Sequence, residues 1–385
     1  MDISYILNQL GEERDKYYNS VSPPIIQTSN FSYPNINEFR KAIDCEKDSL
    51  IYSRGNNPTV NILQKKLAAL EKTDESLVFG SGMAAISAAV FSQIKAGDHI
   101  VSVRNPYSWT NTLFNDYLPK FNIECTMIDG RDPDNFEKSI RKNTKLFYLE
   151  SPNSWTFELQ DFKKVVAIAK KNNIITALDN SYASPLAQSP SDFGIDIILH
   201  SASKYLGGHS DIVAGVLCSS GEIVKEIFGK EYCNLGGGIS PFNAWLMIRG
   251  LRTLPLRIEK VGKTTRKVID YLENHPGVER VLYPLSKESP QYELAKKQLK
   301  QDMGLFSVYL KNQNREKIEK FCNSLKMFLL AVSWGGHESL IFPACVINQR
   351  KDDTRFPDNL IRVYIGLEEP ESLINDLDRA FKFIT

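Results

Sequence analysis

Between residues 60 and 200, short apolar runs alternate with helical stretches, and this alternation restricts the fold more than any other feature of the chain. Residues 60–71 place Leu63, Leu67 and Leu70 at a helical period. Leu77-Val78-Phe79 reads as a short strand, followed by Gly80-Ser81-Gly82 and an alanine-rich helix over 83–93. Further strands are expected at 99–103, 145–149, 174–178 and 195–199, with an amphipathic helix over 162–171. Apolar strands alternating with helices imply an α/β domain with a mainly parallel sheet covered on both faces.

The flanks differ. Residues 1–60 are polar and irregular, with Pro23-Pro24, Asn35 and Asn56-Asn57-Pro58. Such an arm has little core of its own and is expected to contact a neighbouring subunit. Near 255 the texture changes to a long helix over 256–274, a strand at 306–310, a helix over 315–325, a strand at 360–365 and a last helix over 370–383. The expected division is an arm (1–60), a large domain (61–255) and a smaller C-terminal α+β domain (256–385). A length of 385 residues is enough for two domains.

Composition excludes some classes of function. Basic and acidic residues number 47 and 46, so the basic excess that marks nucleic-acid or membrane-surface binding is missing. Met1-Asp2-Ile3-Ser4 has no basic segment leading into an apolar run, and no apolar stretch reaches the roughly 18 residues that cross a bilayer. Six scattered cysteines form no CxxC or metal-spaced cluster. The expectation is a cytoplasmic protein with reduced thiols and no bound metal.

Three features fall at expected strand ends. Ser81-Gly82-Met83 joins a strand to a helix N-terminus, where free amides and the helix dipole favour an anion; alone, such a turn is also a plain βα connection. Asp179-Asn180 follows a strand directly. A carboxylate there needs a partner, such as a pyridinium nitrogen, although an isolated Asp also caps helices. Ser201-Ala202-Ser203-Lys204 precedes Gly207-Gly208. An imine-forming lysine needs a partly desolvated site, whereas a lone lysine is ordinarily a solvated surface charge. All three sit at the ligand-binding edge of one sheet, which favours the chemical reading.

At this point the residues carry a resemblance. Leu178-Asp179-Asn180 followed by the run from His200 to Asp211 (HSASKYLGGHSD) resembles the signature of the Cys/Met-metabolism pyridoxal 5′-phosphate (PLP) enzymes. The likeness runs nearly end to end. It takes in Tyr52-Ser53-Arg54, Asn57-Pro58-Thr59, Ser81-Gly82-Met83, Glu150-Ser151-Pro152, the run from Arg249 to Leu254, Ser333-Trp334-Gly335-Gly336 with Glu338-Ser339-Leu340, and the run from Ile361 to Glu368. The resemblance implies fold type I, the aspartate aminotransferase-like architecture of PLP-dependent transferases. It implies that Lys204 holds PLP as an imine and shuttles protons, that Asp179 pairs with the pyridine nitrogen, and that Tyr107 stacks on the ring as a candidate acid/base. Gly82, Met83, Ser201 and Ser203 would bind the phosphate. Tyr52 and Arg54 would reach the phosphate of a neighbouring subunit in a homo-oligomer, expected to be a tetramer built from active dimers. Arg362 would grip the α-carboxylate of a small sulfur-containing amino acid, with Ser333 and Trp334 beside it.

The resemblance spans eliminations and replacements, so local departures have to decide the reaction. Trp334 and the run Gly304-Leu305-Phe306-Ser307 look most like bacterial cystathionine β-lyases. Val332 stands where γ-synthases and γ-lyases of cystathionine typically have a Glu. Trp109 stands where methionine γ-lyases have a Cys. Ser154-Trp155 replaces a common Asn-Pro, and Ser181 replaces a common Thr. The expected reaction is β-elimination of L-cystathionine to homocysteine, pyruvate and ammonia. The alternatives are γ-elimination, γ-replacement on an activated homoserine, and a PLP-binding protein that has lost catalysis.

Overall fold

The computed structural model describes residues 1–348 and 356–384. Its larger sheet contains β1 (Glu75–Phe79), β2 (His99–Val103), β3 (Glu124–Ile128), β4 (Thr144–Glu150), β5 (Ile175–Asp179), β6 (Ile197–Ser201) and β7 (Gly215–Ser219). Their spatial order is β1-β7-β6-β5-β4-β2-β3. Every pair from β6 to β3 is parallel, whereas β7 runs antiparallel to both β1 and β6. The sheet is therefore mainly parallel, as the alternation predicts. The β6 strand begins two residues later than expected, which places Lys204 three residues beyond its end.

Two strands of this sheet, β3 and β7, are not foreseen from the sequence, nor are the second-sheet strands at 278–282, 329–330 and 340–343. β3 lies at the sheet edge with an exposed or half-buried pattern and lacks the apolar run of its neighbours. β7 begins at Gly215, where an added Cβ would come 2.1 Å from the Ser81 carbonyl oxygen. Only glycine lets the Ser81-Gly82 turn lie against this strand.

Helices cover both faces. Pro58–Glu71 packs on one side through Leu63 and Leu67, and Gly82–Gln93 on the other through Ala85, Ala88 and Ala89. The alanines allow a helix buried almost all round to sit close to the strands. Ser81 caps that helix by accepting from the Ala84 amide at 3.1 Å.

The second sheet has the order β10-β11-β12-β9-β8, from β8 (Val278–Leu282), β9 (Leu305–Leu310), β10 (Leu329–Leu330), β11 (Leu340–Pro343) and β12 (Leu360–Tyr364). Its core contains Val268, Phe306, Phe321, Val363 and Leu377. The helix Leu254–Glu273 serves both cores: Leu254, Ile258 and Val261 belong to the larger, and Val268, Ile269 and Leu272 to the smaller. Gln298 reinforces the junction. Its Oε1 accepts from the Phe162 amide at 3.1 Å and its Nε2 donates to the Gln160 carbonyl at 3.0 Å.

The N-terminal segment corrects one expectation. It contains helices Ile3–Asn8 and Ile36–Asp44, and its first twelve residues dock on the chain's own core. Ile6 and Leu7 are buried there, and Glu12 forms a buried ion pair with Lys66 at 3.0 Å. Lys66 Nζ also donates to the carbonyls of Ile6 and Leu7. The isolated apolar pair Ile6-Leu7 is too short to show helical periodicity. The segment after Glu12 matches the coreless description better, with Tyr18, Val21, Ile36 and Phe39 exposed.

Candidate active site

The carboxyl ends of β4, β5 and β6 and the first turn of Gly82–Gln93 open into one cavity of about 720 Å³. The large sheet contributes Ser81, Gly82, Met83, Tyr107, Glu150, Asp179, Ser201, Ser203 and Lys204. The smaller unit closes it with Ser333, Trp334, Phe342 and Arg362. Ten of the twelve residues to which the resemblance assigns a role thus line one space.

Lys204 follows β6 in a turn held by its amide donating to the Ser201 carbonyl at 3.1 Å. Its Nζ donates to Ser333 Oγ at 2.8 Å and lies 5.7 Å from the Trp334 ring centroid. Burial lowers its proton affinity to about 8, helped by the positive charge of Arg362 and opposed by Asp179. Ser333 reaches Lys204 from a left-handed backbone (φ +76°), a conformation costing a residue with a Cβ about 1–2 kcal/mol. At Gly335 (φ +87°) an added Cβ would lie 2.6 Å from the Tyr205 amide, so this loop rests directly on the lysine turn.

Asp179 is paired in register with Glu150 on the adjacent parallel strand, setting two buried carboxylates side by side. Burial raises the proton affinity of both. Glu150 is pushed up to about 7, with the Asp179 charge adding to burial and the amides of Tyr107 (2.7 Å) and Ser154 (2.6 Å) opposing. Asp179 is raised by burial and restrained by the Ser181 amide, which donates to Oδ1 at 2.9 Å, and by His200 and Lys204. Burial and the Asp179 charge both raise the Tyr107 hydroxyl, so it stays protonated at neutral pH.

Arg362 lies on β12 opposite Phe342 of β11. Its guanidinium carbon lies 5.3 Å from the Phe342 ring centroid and 5.1 Å from that of Trp155. Among the described residues it has no hydrogen bond or ion pair with a carboxylate. Burial lowers its proton affinity to about 10, a range in which it stays cationic at neutral pH. A desolvated guanidinium facing a cavity suits a carboxylate ligand.

Tyr52 and Arg54 do not reach this cavity. They line a separate pocket with Gln27, Thr28, Gly238 and Ser240. Arg54 packs over the Tyr52 ring at 5.3 Å. Ser203 also differs from expectation. Its hydroxyl lines the cavity but already accepts from the Ala214 amide at 3.0 Å, so its clearest role is to fix the turn after β6.

The comparisons with known proteins agree with this geometry. Residues 6–382 match the family described as Cys/Met metabolism PLP-dependent enzyme. The chain belongs to that family. An L-methionine gamma-lyase of Treponema denticola is 36% identical over 379 residues, covering 96% of this chain and 94% of the relative. A cystathionine gamma-lyase of Bacillus subtilis is 35% identical, covering 97% of both. A cystathionine beta-lyase of Lactococcus lactis is 34% identical, also covering 97% of both. The crystal structure of metB from Corynebacterium glutamicum superposes with a TM-score of 0.94 at 32% identity, covering 100% of this chain and 99% of that one. The fold is that of the type I PLP enzymes.

The cavity of this PLP-dependent enzyme fits the cofactor. Asp179 faces the cavity with Ser181 held against it, the Ser181 amide donating to Oδ1 at 2.9 Å, and a carboxylate so placed suits a pyridinium. The Gly82 and Met83 amides open a helix whose cap, Ser81, is spent on Ala84, and Ser201 stands beside them: an added Cβ at Gly82 would meet it at 3.1 Å. These groups would hold the phosphate, and Lys204 the aldehyde carbon. PLP supplies an electron-accepting ring that stabilises negative charge on the substrate Cα.

Glu150 and Trp155 were visible as sequence but carried no assigned role. The available signal for Glu150 was its place at the end of β4, level with Asp179. Trp155 meets Arg362 only through tertiary structure, and no spacing rule reveals it.

Proposed function

We propose that this enzyme is a carbon–sulfur β-lyase acting on L-cystathionine in the cytoplasm. The observation that carries the reading is the placement of Trp334. Its ring packs edge-on against Tyr205, with centroids 5.4 Å apart, and stands beside Lys204 Nζ at the cavity wall. This wall narrows the space beyond the reacting lysine, which suits a leaving group attached at Cβ. Val332, also at the cavity, supplies no acid for a distal ammonium group of the kind expected in cystathionine γ-enzymes.

Arg362 would bind the α-carboxylate and Asp179 would hold the ring nitrogen. PLP would supply the electron-accepting ring, and Lys204, its amine partly desolvated beside Ser333, would take the proton from Cα. The Cβ–S bond then breaks and the sulfur leaves as a thiolate, protonated by Lys204 or Tyr107 to give homocysteine. Water releases the remaining three-carbon fragment as pyruvate and ammonia. The Tyr52–Arg54 pocket supports a homo-oligomer in which each arm completes a neighbour's phosphate site. The six cysteines are all free thiols, which supports a reducing compartment.

The test is product analysis with L-cystathionine. Pyruvate together with homocysteine is expected. Formation of 2-oxobutyrate and cysteine would favour γ-elimination, the reading suggested by relatives named as γ-lyases.

A further inference from the structure

We propose that Trp155 is a positioning residue for substrate-carboxylate recognition, locking the Arg362 guanidinium against Phe342. This rests on the reading of Arg362 as the carboxylate-binding group. Trp155 follows the cis Ser151-Pro152 peptide and adopts a left-handed backbone (φ +67°), unusual for so large a side chain. That backbone turns its indole from the large unit into the smaller one, where it is 9% exposed. There it stacks on Phe356, with centroids 5.2 Å apart and planes 24° apart, and meets Phe342 at 5.1 Å. The guanidinium carbon of Arg362 lies 5.1 Å from the indole and 5.3 Å from the Phe342 ring.

These contacts matter because no hydrogen bond or ion pair among the described residues fixes the guanidinium, and the Glu150 carboxylate acts on it only at longer range. Most buried arginines are oriented by a carboxylate. Such a partner would compete here with the substrate. Two aromatic faces avoid that competition: they orient the cation through their quadrupoles and leave all five N–H donors free. The second link is electrostatic. The Ser154 amide, immediately before Trp155, donates to Glu150 at 2.6 Å. The same short segment therefore ties the Arg362 clamp to the carboxylate beside Asp179.

The experiment uses the holoenzyme and the variants Trp155→Phe, Trp155→Ala and Arg362→Ala. Spectral titration with L-alanine and with ethylamine, its counterpart lacking a carboxylate, gives the carboxylate's contribution to binding. Trp155→Ala is expected to reduce the preference for L-alanine over ethylamine about tenfold, in line with a desolvated cation–π contact. It should raise KM for the thioether substrate more than it lowers kcat. Trp155→Phe should restore most of both. Thermal melting of each variant checks that the chain is folded. Unchanged discrimination in a folded Trp155→Ala enzyme overturns the proposal, provided Arg362→Ala abolishes that discrimination. If Arg362→Ala also leaves it unchanged, the underlying assignment of Arg362 has failed instead.

Discussion

Lys204 Nζ donates a 2.8 Å hydrogen bond to Ser333 Oγ, joining residues 129 positions apart across the two units of the chain. The bond couples the amine proposed to capture the cofactor to a loop from the smaller unit. Because burial brings the Lys204 proton affinity down to about 8, its neutral nucleophilic form appears at a lower pH than for an ordinary lysine. The rate at which the apoenzyme takes up PLP should therefore climb through a midpoint near pH 8 and level off above it. Stopped-flow absorbance after mixing with PLP measures this. Ser333→Ala removes an acceptor that stabilises the ammonium form, so its midpoint should fall further. Lys204→Ala should show no imine absorbance at any pH.

Glu150 gives a stability signature of opposite character. Its proton affinity is about 7 in the folded chain and 4.5 as an ordinary glutamate, so between these values the folded state holds more protons than the unfolded one. The contribution of this group is fully present below pH 4.5 and is lost as pH rises through 7. Replacing it with Gln removes the titration. Apoenzyme melting temperatures compared between pH 5 and pH 8 should fall less steeply for Glu150→Gln than for the parent protein.

The separate pocket holding Tyr52 and Arg54 leads to a complementation test. If each arm serves a neighbour, an Arg54→Ala chain retains a sound Lys204 and a Lys204→Ala chain retains a sound Arg54. Each variant alone should be nearly inactive. After unfolding and refolding of an equal mixture, half the active dimers are mixed, and one site of each mixed dimer is complete. Activity near one quarter of the parent value is expected. No recovery would show that Arg54 acts within its own chain.

The buried Lys66–Glu12 pair supplies a test of the N-terminal dock. Lys66→Met removes one partner and leaves Glu12 to Arg14 and Arg252 at the margin of the core. A broken buried pair costs about 3 kcal/mol. The melting temperature should drop, and limited proteolysis should release the first residues before the rest of the chain is cut.

The sequence displayed those parts of the enzyme that local chemistry dictates. β2 and the helix Phe162–Lys171 were placed by apolar pattern alone, and Lys204 and Asp179 by their positions after strands. The edge strand β3 lacked that pattern because it pairs with β2 alone and its residues before Ile128 are exposed or half-buried. The docking of residues 1–12 was hidden because it depends on Lys66, a charged residue whose burial makes sense only beside Glu12. The same limit applied to the carboxylate site. Arg362 was legible through its family motif, but Trp155 and Phe342 are 187 residues apart in sequence and are neighbours only once both sheets exist.

The helix Leu254–Glu273 makes the two units mechanically inseparable. Its 20 residues form a rod about 30 Å long, gripped by one core at its first turns and by the other at its last. A rigid spar of this kind transmits torque, so a tilt of the smaller sheet must either bend the spar or repack Val261 against its neighbours. Any tilt of the smaller sheet would carry the Ser333 loop and Arg362 with it. For protein engineering the consequence is equally direct: the 254–273 stretch is a poor place to divide the chain, because each half would carry away part of the other's interior.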